Sequence, residues 1–245
     1  MNCNDSMINN SILKKRNDPG RNFQILAISN RHLCNQPFED QIKRVCEWHP
    51  DALVLREKDL PEDEYKALAK NILDICKAYD VPCILHTYWK AALELGHDAI
   101  HLPLPLLREL SAESQKHLQS QNSTISQNFH VTDFHRIGTS VHSVEDAMEA
   151  ERLGATYVTA GHIFTTDCKK GLPPRGLDFL KNVCDAVTIP VYGIGGIKFD
   201  PQQWNSLKKQ GACGGCDYVR NDAALKLQSF LLQSIHQKGS GLEPS

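Results

Sequence analysis

Long apolar runs are absent from this 245-residue chain. The longest, such as Ala52–Leu55 and Ile189–Ile197, fall far short of the roughly 20 residues that span a bilayer. The opening MNCNDSMINN lacks the apolar centre of a secretory signal, so the sequence predicts a cytoplasmic protein with no membrane partner. An excess of charge is missing too: 27 Lys and Arg against 29 Asp and Glu leave a formal charge of -2. That excludes the basic footprint of a nucleic-acid binder. With 41% apolar and 23% charged residues the chain is not a disordered one. Nine cysteines, odd in number and scattered, lack the spacing of a disulfide framework and read as reduced thiols that fill core positions. Metal-binding spacing is equally wanting. Cys213-Gly214-Gly215-Cys216 has no second pair, and the histidines, among them His32, His97, His117 and His135, form no H-x-x-x-H or H-E-x-x-H on a predicted helix.

What is present is a repeat of helix, glycine and short apolar strand, seen in Ala91–Leu102, Ala150–Ala160 and Leu207–Val219. Gly96, Gly154 and Gly211 stand where a helix ends in a left-handed residue. In DVPCILH and DAVTIPVYGI a proline before the strand does the same work, since proline cannot continue a helix. The glycine joints lie 58 and 57 residues apart, which is two units of about 29 residues, the length of a βα repeat. This spacing predicts strands near Phe23–Ser29, Ala52–Glu57, Cys83–His86, Ala99–Leu102, Ile137–Val141, Tyr157–Ile163, Val191–Ile194 and Cys216–Val219. Between them lie amphipathic helices such as Glu62–Tyr79, with Leu68, Ile72, Ile75 and Cys76 on one stripe, and Val144–Leu153, capped by Ser143. Strands alternating with helices over this length predict an α/β fold, a single (β/α)8 TIM barrel over residues 23–236, with tails at 1–22 and 237–245.

In such a barrel the working residues stand at the C-terminal ends of the strands. Gly193-Ile194-Gly195-Gly196-Ile197 follows strand seven, where backbone N–H groups commonly hold phosphate and glycine lets the anion approach. Arg56-Glu57-Lys58 ends strand two and offers a cation pair to an anionic ligand. Ser140-Val141-His142-Ser143 ends strand five and places an imidazole on the rim, suited to general acid/base work near neutral pH. The polar stretch Gly161–Gly176 after strand six is long for a connection, as binding loops are, and Cys168 beside two lysines is a candidate thiolate.

The segments LREKD (Leu55–Asp59), AIHL (Ala99–Leu102), IGTSVHSVEDA (Ile137–Ala147), GATYVTAGHIFTTDCKKGLPPRG (Gly154–Gly176) and IPVYGIGGI (Ile189–Ile197) resemble the thiamine phosphate synthase/TenI superfamily over roughly Gln24–Val219. The resemblance implies one of two activities on this barrel. Synthases join a pyrimidine pyrophosphate to a thiazole phosphate using magnesium; TenI-type enzymes aromatise carboxythiazole phosphate. Synthases carry Asn-Asp after strand three and an Asp shortly after the His-Leu of strand four. Here those stretches read His86-Thr87-Tyr88 and His101-Leu102-Pro103-Leu104-Pro105, without a carboxylate to hold magnesium.

The resemblance to TenI-type enzymes therefore implies a metal-independent thiazole tautomerase, an isomerase with no cofactor and a phosphorylated thiazole as its small-molecule partner. His142 matches the acid/base catalyst, Arg56, Lys58, Thr166 and Lys169 match substrate-binding positions, and Gly195 and Gly196 match the phosphate turn. The family usually has a phosphate-binding Ser after strand eight; this chain reads Tyr218-Val219-Arg220-Asn221. The alternatives are a thiamine phosphate synthase and a non-catalytic protein that binds thiazole phosphate. A homo-oligomer is compatible with the sequence.

Overall fold

A helix that precedes a strand has to be stopped, and at the described joints glycine, proline or a left-handed polar residue such as Asp80 (φ 52°) marks the stop. Gly96 (φ 65°) and Gly154 (φ 94°) end their helices in the left-handed region. In both, the N–H two residues beyond the helix cap reaches back to the last full turn, His97 to the Ala92 carbonyl and Ala155 to the Ala150 carbonyl, each at 2.9 Å. Pro82 and Pro190 stand just before the next strands. In this computed structural model residues 24–47, 49–119, 133–166, 169–197 and 225–226 are described. The strands are β1 (Ile25–Ile28), β2 (Ala52–Leu55), β3 (Cys83–His86), β4 (Ala99–Pro103), β5 (Arg136–Val141), β6 (Tyr157–Gly161), β7 (Val191–Ile194) and β8 (Leu225–Lys226). The helices are α1 (Phe38–Glu47), α2 (Glu62–Ala78), α3 (Trp89–Glu94), α4 (Leu104–Gln119), α5 (Val144–Arg152) and α6 (Gly176–Ala186).

All pairings are parallel, in the order β7-β6-β5-β4-β3-β2-β1-β8. β8 also approaches β7, so the two ends of the sheet come together and the fold is a TIM-type α/β barrel. Side chains alternate along each strand, so every strand serves two cores. Outward residues such as Leu53, Leu55, Leu85, Ile100, Leu102, Ile137 and Val158 pack under the helices. Inward residues Leu26, Ala52, Val54, Ile84, Ala99, Tyr157 and Tyr192 fill the barrel.

The α2 face turned to the sheet is Tyr65, Ala69, Ile72 and Cys76, while Leu68 and Ile75 flank it half-buried. The helix is rotated from the stripe expected at Leu68 and Ile75 because Tyr65 reaches under it: its hydroxyl donates to the Leu55 carbonyl (2.7 Å) and accepts from the His86 N–H (2.8 Å). At α5 the Ser143 hydroxyl accepts from the Asp146 N–H, as its capping role requires. Cys34, Cys46, Cys76, Cys83 and Cys184 are free thiols, and all but Cys34 are buried.

Three of the described strands, β1, β2 and β6, are shorter than the apolar pattern suggests. β2 ends at Leu55 because the Arg56 N–H turns to the Ser29 hydroxyl (2.8 Å). β6 ends at Gly161, beyond which the chain turns along the end of β7. The strand expected at Cys216–Val219, the joint at Gly211, the Cys213/Cys216 pair and both tails lie outside the described residues; the last described strand is Leu225–Lys226.

Inside the barrel, Gly138 on β5 faces Tyr157 on β6, and a β-carbon at Gly138 would overlap the tyrosine ring. Overpacking of this kind destabilises by about 1–3 kcal/mol. Gly138→Ala is therefore expected to lower stability by that amount in urea unfolding, and Gly138→Ala combined with Tyr157→Ala to show less than the sum of the two single losses. Strict additivity would contradict the packing.

Candidate functional site

A buried carboxylate without partners is strongly unfavourable, and Glu57, only 2% exposed, is fully engaged. It accepts from the Ser29 hydroxyl (2.6 Å), from the Arg31 N–H (3.1 and 3.2 Å to its two oxygens) and from the Arg31 guanidinium (3.3 Å). Arg31 also grips Asp59 with both terminal nitrogens, and His32 adds a bond of 2.9 Å. Arg31, then His32, hold the Asp59 carboxyl well below the usual range. The segment after β1 and the segment after β2 are thus fastened together, with Arg56 and Lys58 flanking the anchor. Burial, and then the charges of Arg56 and Lys169, lower the Lys58 pKa. These cations share one field although Lys169 arrives from the loop after β6.

Beneath them lies a polar floor inside the barrel. His86 at the end of β3 and His101 on β4 stack with ring centroids 5.3 Å apart and planes at 19°. His101 bonds the Tyr157 hydroxyl through Nδ1 (2.9 Å) and the Ser140 hydroxyl through Nε2 (3.0 Å), and Ser140 continues to Thr159 (2.9 Å). Burial, followed by Lys58 and Arg56, pushes the His101 pKa down to about 3. Burial, followed by His101, Lys58 and Arg56, pushes that of His86 to about 2. Both imidazoles are neutral at physiological pH, and both feel the cations above.

On the opposite wall His142 follows β5, exposed at the mouth, with Nδ1 3.0 Å from the Gly161 carbonyl oxygen. A carbonyl only accepts, so Nδ1 carries the proton, and the neutral ring holds its lone pair on Nε2. The chain after Gly161 then runs against the turn after β7: the Ile163 N–H donates to the Ile194 carbonyl (2.9 Å) and the Phe164 N–H to the Gly195 carbonyl (3.0 Å). Gly195 (φ 88°) and Gly196 (φ 70°) are needed here twice over. Each has a left-handed φ, and an added β-carbon would strike His162 at the first and the Phe164 and Thr165 carbonyls at the second. The loop closes where Arg175 and Gly176 donate back to the His162 and Ile163 carbonyls.

Every sequence-predicted site residue that is described therefore stands at the C-terminal end of the barrel. Arg56 and Lys58 lie after β2, His142 after β5, Thr166 and Lys169 in the loop after β6, and Gly195 and Gly196 after β7. The Lys169 N–H donates to the Thr166 carbonyl (3.0 Å), which fixes these two relative to each other. Cys168, Arg220 and Asn221 lie outside the described residues. Sequence reasoning missed Glu57 as the anchor, and it missed the inward row of His86, His101, Ser140, Tyr157 and Thr159. Part of the signal was there: Tyr157 and Thr159 alternate on one face of β6, and His86 with His101 and Ser140 with Thr159 are paired across neighbouring strands.

The magnesium used by synthases calls for hard oxygen ligands. Among the described residues no group of three or more His, Cys, Asp or Glu side chains could hold a metal ion. The carboxylates after β2, Glu57 and Asp59, are taken by Ser29, Arg31 and His32. The described residues do not fit the ion.

A glycine turn after the seventh strand, a cation cluster and a rim imidazole meet at the C-terminal end of the barrel, where barrels of this type carry their sites. The chain belongs to the thiamine monophosphate synthase family, whose model matches residues 25–216. It is 31% identical over 194 residues to a putative thiamine-phosphate synthase 2 of Aquifex aeolicus, covering 78% of this chain and 93% of that one. It is 34% identical over 148 residues to a thiamine-phosphate synthase of Clostridium acetobutylicum, covering 58% and 61%. Among solved structures, a thiamine phosphate pyrophosphorylase from Pyrococcus furiosus superposes with a TM-score of 0.57 at 23% identity over 89% of this chain and 97% of that one, a likeness of fold. Among the described residues no helix is long and apolar enough to cross a membrane.

Because His86 and His101 titrate lower when folded, the unfolded chain binds more protons below about pH 6.5. Their effect is absent above that pH, and stability falls as the pH drops below it, by up to about 1.4 kcal/mol per pH unit for each ring. Urea unfolding from pH 8 to pH 4 should give a shallower acid limb for His101→Gln than for the wild type; equal slopes would contradict neutral burial.

Proposed function

We propose that this member of the family is a thiazole tautomerase of thiamine biosynthesis, acting on carboxythiazole phosphate without a metal. The observation that carries the reading is His142: its Nδ1–H is committed to the Gly161 carbonyl, which leaves Nε2 as a proton acceptor at the mouth, and the segment that begins at Gly161 is itself bonded to the glycine turn. The substrate is the exocyclic tautomer, in which ring C2 bears a hydrogen beside the carboxylate. Nε2 removes the C2 proton, the electron pair moves through the ring, and the exocyclic carbon takes up a proton from the resulting imidazolium. Nothing else enters or leaves, and the ring becomes aromatic. Gly195 and Gly196 hold the phosphate, while Arg56, Lys58, Thr166 and Lys169 orient the rest of the molecule. Fixing the ring against the imidazole supplies much of the rate by positioning. The acid/base step contributes about 10²- to 10⁴-fold.

A second reading is favoured by the names of the relatives and by the cluster of Arg56, Lys58 and Lys169, whose charge suits a pyrophosphate. In that reading the chain is a thiamine phosphate synthase, and its metal ligands come from residues outside those described. One experiment separates the two. Freshly generated exocyclic carboxythiazole phosphate is given to wild type, to wild type with chelator and to His142→Ala. In parallel, hydroxymethylpyrimidine pyrophosphate, thiazole phosphate and magnesium are supplied and pyrophosphate is measured. The tautomerase reading expects aromatisation above background, no effect of chelator and a loss of about 10²- to 10⁴-fold in His142→Ala. Pyrophosphate release without accelerated aromatisation would replace it with the synthase. Neither activity, with thiazole phosphate still bound, would leave a binding protein.

A further inference from the structure

Thr87, directly after β3, has φ 70°. A β-branched residue in the left-handed region is a true outlier, and such strain persists where the surroundings force it, often at functional sites. Here they do force it: the Thr87 N–H donates to the His101 carbonyl (3.0 Å), and the Trp89 N–H donates to the Thr87 carbonyl (2.9 Å). The strained backbone brings the Thr87 hydroxyl to 2.6 Å from Nδ1 of His86.

His86 is 5% exposed and fixed on every side. Its N–H is held by Tyr65, its ring lies against His101, and His101 is itself held by Tyr157 and Ser140. Nδ1 is occupied by Thr87, and Nε2 makes no hydrogen bond among the described residues. Arg56 and Lys58 follow β2, the strand paired beside β3, and stand at the same end of the barrel as this ring, a setting that suits an anionic ligand group. A neutral imidazole can meet an anion only with an N–H, and burial under two cations keeps the ring neutral. With an anion at Nε2, the Thr87 hydroxyl donates to Nδ1 and the proton sits on Nε2.

We propose that His86, positioned by Thr87, is a specificity-determining residue whose Nε2–H binds the carboxylate of a phosphorylated heteroaromatic ligand. This rests on the thiazole reading above and deepens it. The phosphate sits at Gly195 and Gly196, while the carboxylate lies across the mouth beneath Arg56 and Lys58. His86 thus separates carboxylated from decarboxylated thiazole phosphate, two ligands that share ring and phosphate. Hydrogen bonds to a charged group are worth enough to make that separation roughly tenfold or more in affinity.

The test is calorimetric titration of the full chain with aromatic carboxythiazole phosphate and, separately, with thiazole phosphate lacking the carboxylate. Wild type is expected to bind the carboxylated ligand roughly tenfold or more tightly than the other. His86→Phe should lose most of that preference while its affinity for plain thiazole phosphate stays within about twofold of wild type. Thr87→Ser should keep the preference. Thr87→Gly should lose it while unfolding at a higher temperature, because the strain at φ 70° is relieved. A purely structural role for Thr87 would not raise stability and abolish discrimination together, and this variant carries the test alone if His86→Phe does not fold. The proposal is overturned if wild type binds the two ligands equally, or if Thr87→Gly and a folded His86→Phe keep the preference; the thiazole reading survives both results. If wild type binds neither ligand, the thiazole reading fails and this proposal falls with it.

Discussion

The loop after β6 passes so close to the turn after β7 that neither Gly195 nor Gly196 has room for a β-carbon. That contact is the constraint on which the mouth of the barrel depends. The Gly161 carbonyl at its start sets the tautomer of His142, the Gly195 carbonyl further on accepts from Phe164, and the loop closes on His162 and Ile163 through Arg175 and Gly176. The proposed general base and the proposed anion-binding turn, on strands that are not neighbours, are thereby held as one unit. Catalysis by positioning needs that rigidity, because a misplacement of about 1 Å can forfeit much of the rate.

Across the mouth the organising force is electrostatic. Glu57 neutralises the inner end of Arg31 and ties the β1 and β2 segments together, while burial, and then the charges of Arg56 and Lys169, depress the Lys58 pKa. Cations held near one another are poised for an anion, which relieves their repulsion. The imidazoles beneath them respond by remaining neutral, since a further positive charge would be both buried and repelled. The floor therefore offers hydrogen bonds without net charge, a surface of different chemistry from a carboxylate pair.

Much of the barrel was legible because its punctuation is local. Gly96, Gly154, Pro82 and Pro190 act on their own turn of backbone, so the helix-to-strand joints could be read off the chain. The rotation of α2 could not, since it depends on Tyr65 meeting Leu55 and His86, residues from two other elements. The site divides in the same way. His142 and the glycine turn announce themselves at strand ends, whereas Glu57 reads as one more charge in a charged tripeptide until its partners on the β1 side are known. His86 and Thr87 were visible only as places lacking a carboxylate. The role proposed for them rests on the strained φ of Thr87 and the stacking on His101, both of which require the closed sheet.

The account's central claim is that one ligand lies across this mouth, its phosphate at the β7 turn and its ring against His142. A crystal structure of the chain with aromatic carboxythiazole phosphate tests that most directly. The account predicts the phosphate against Gly195 and Gly196, with the ring within hydrogen-bond reach of His142 Nε2. A phosphate seated instead among Arg56, Lys58 and Lys169, with His142 out of reach of the ring, would contradict it.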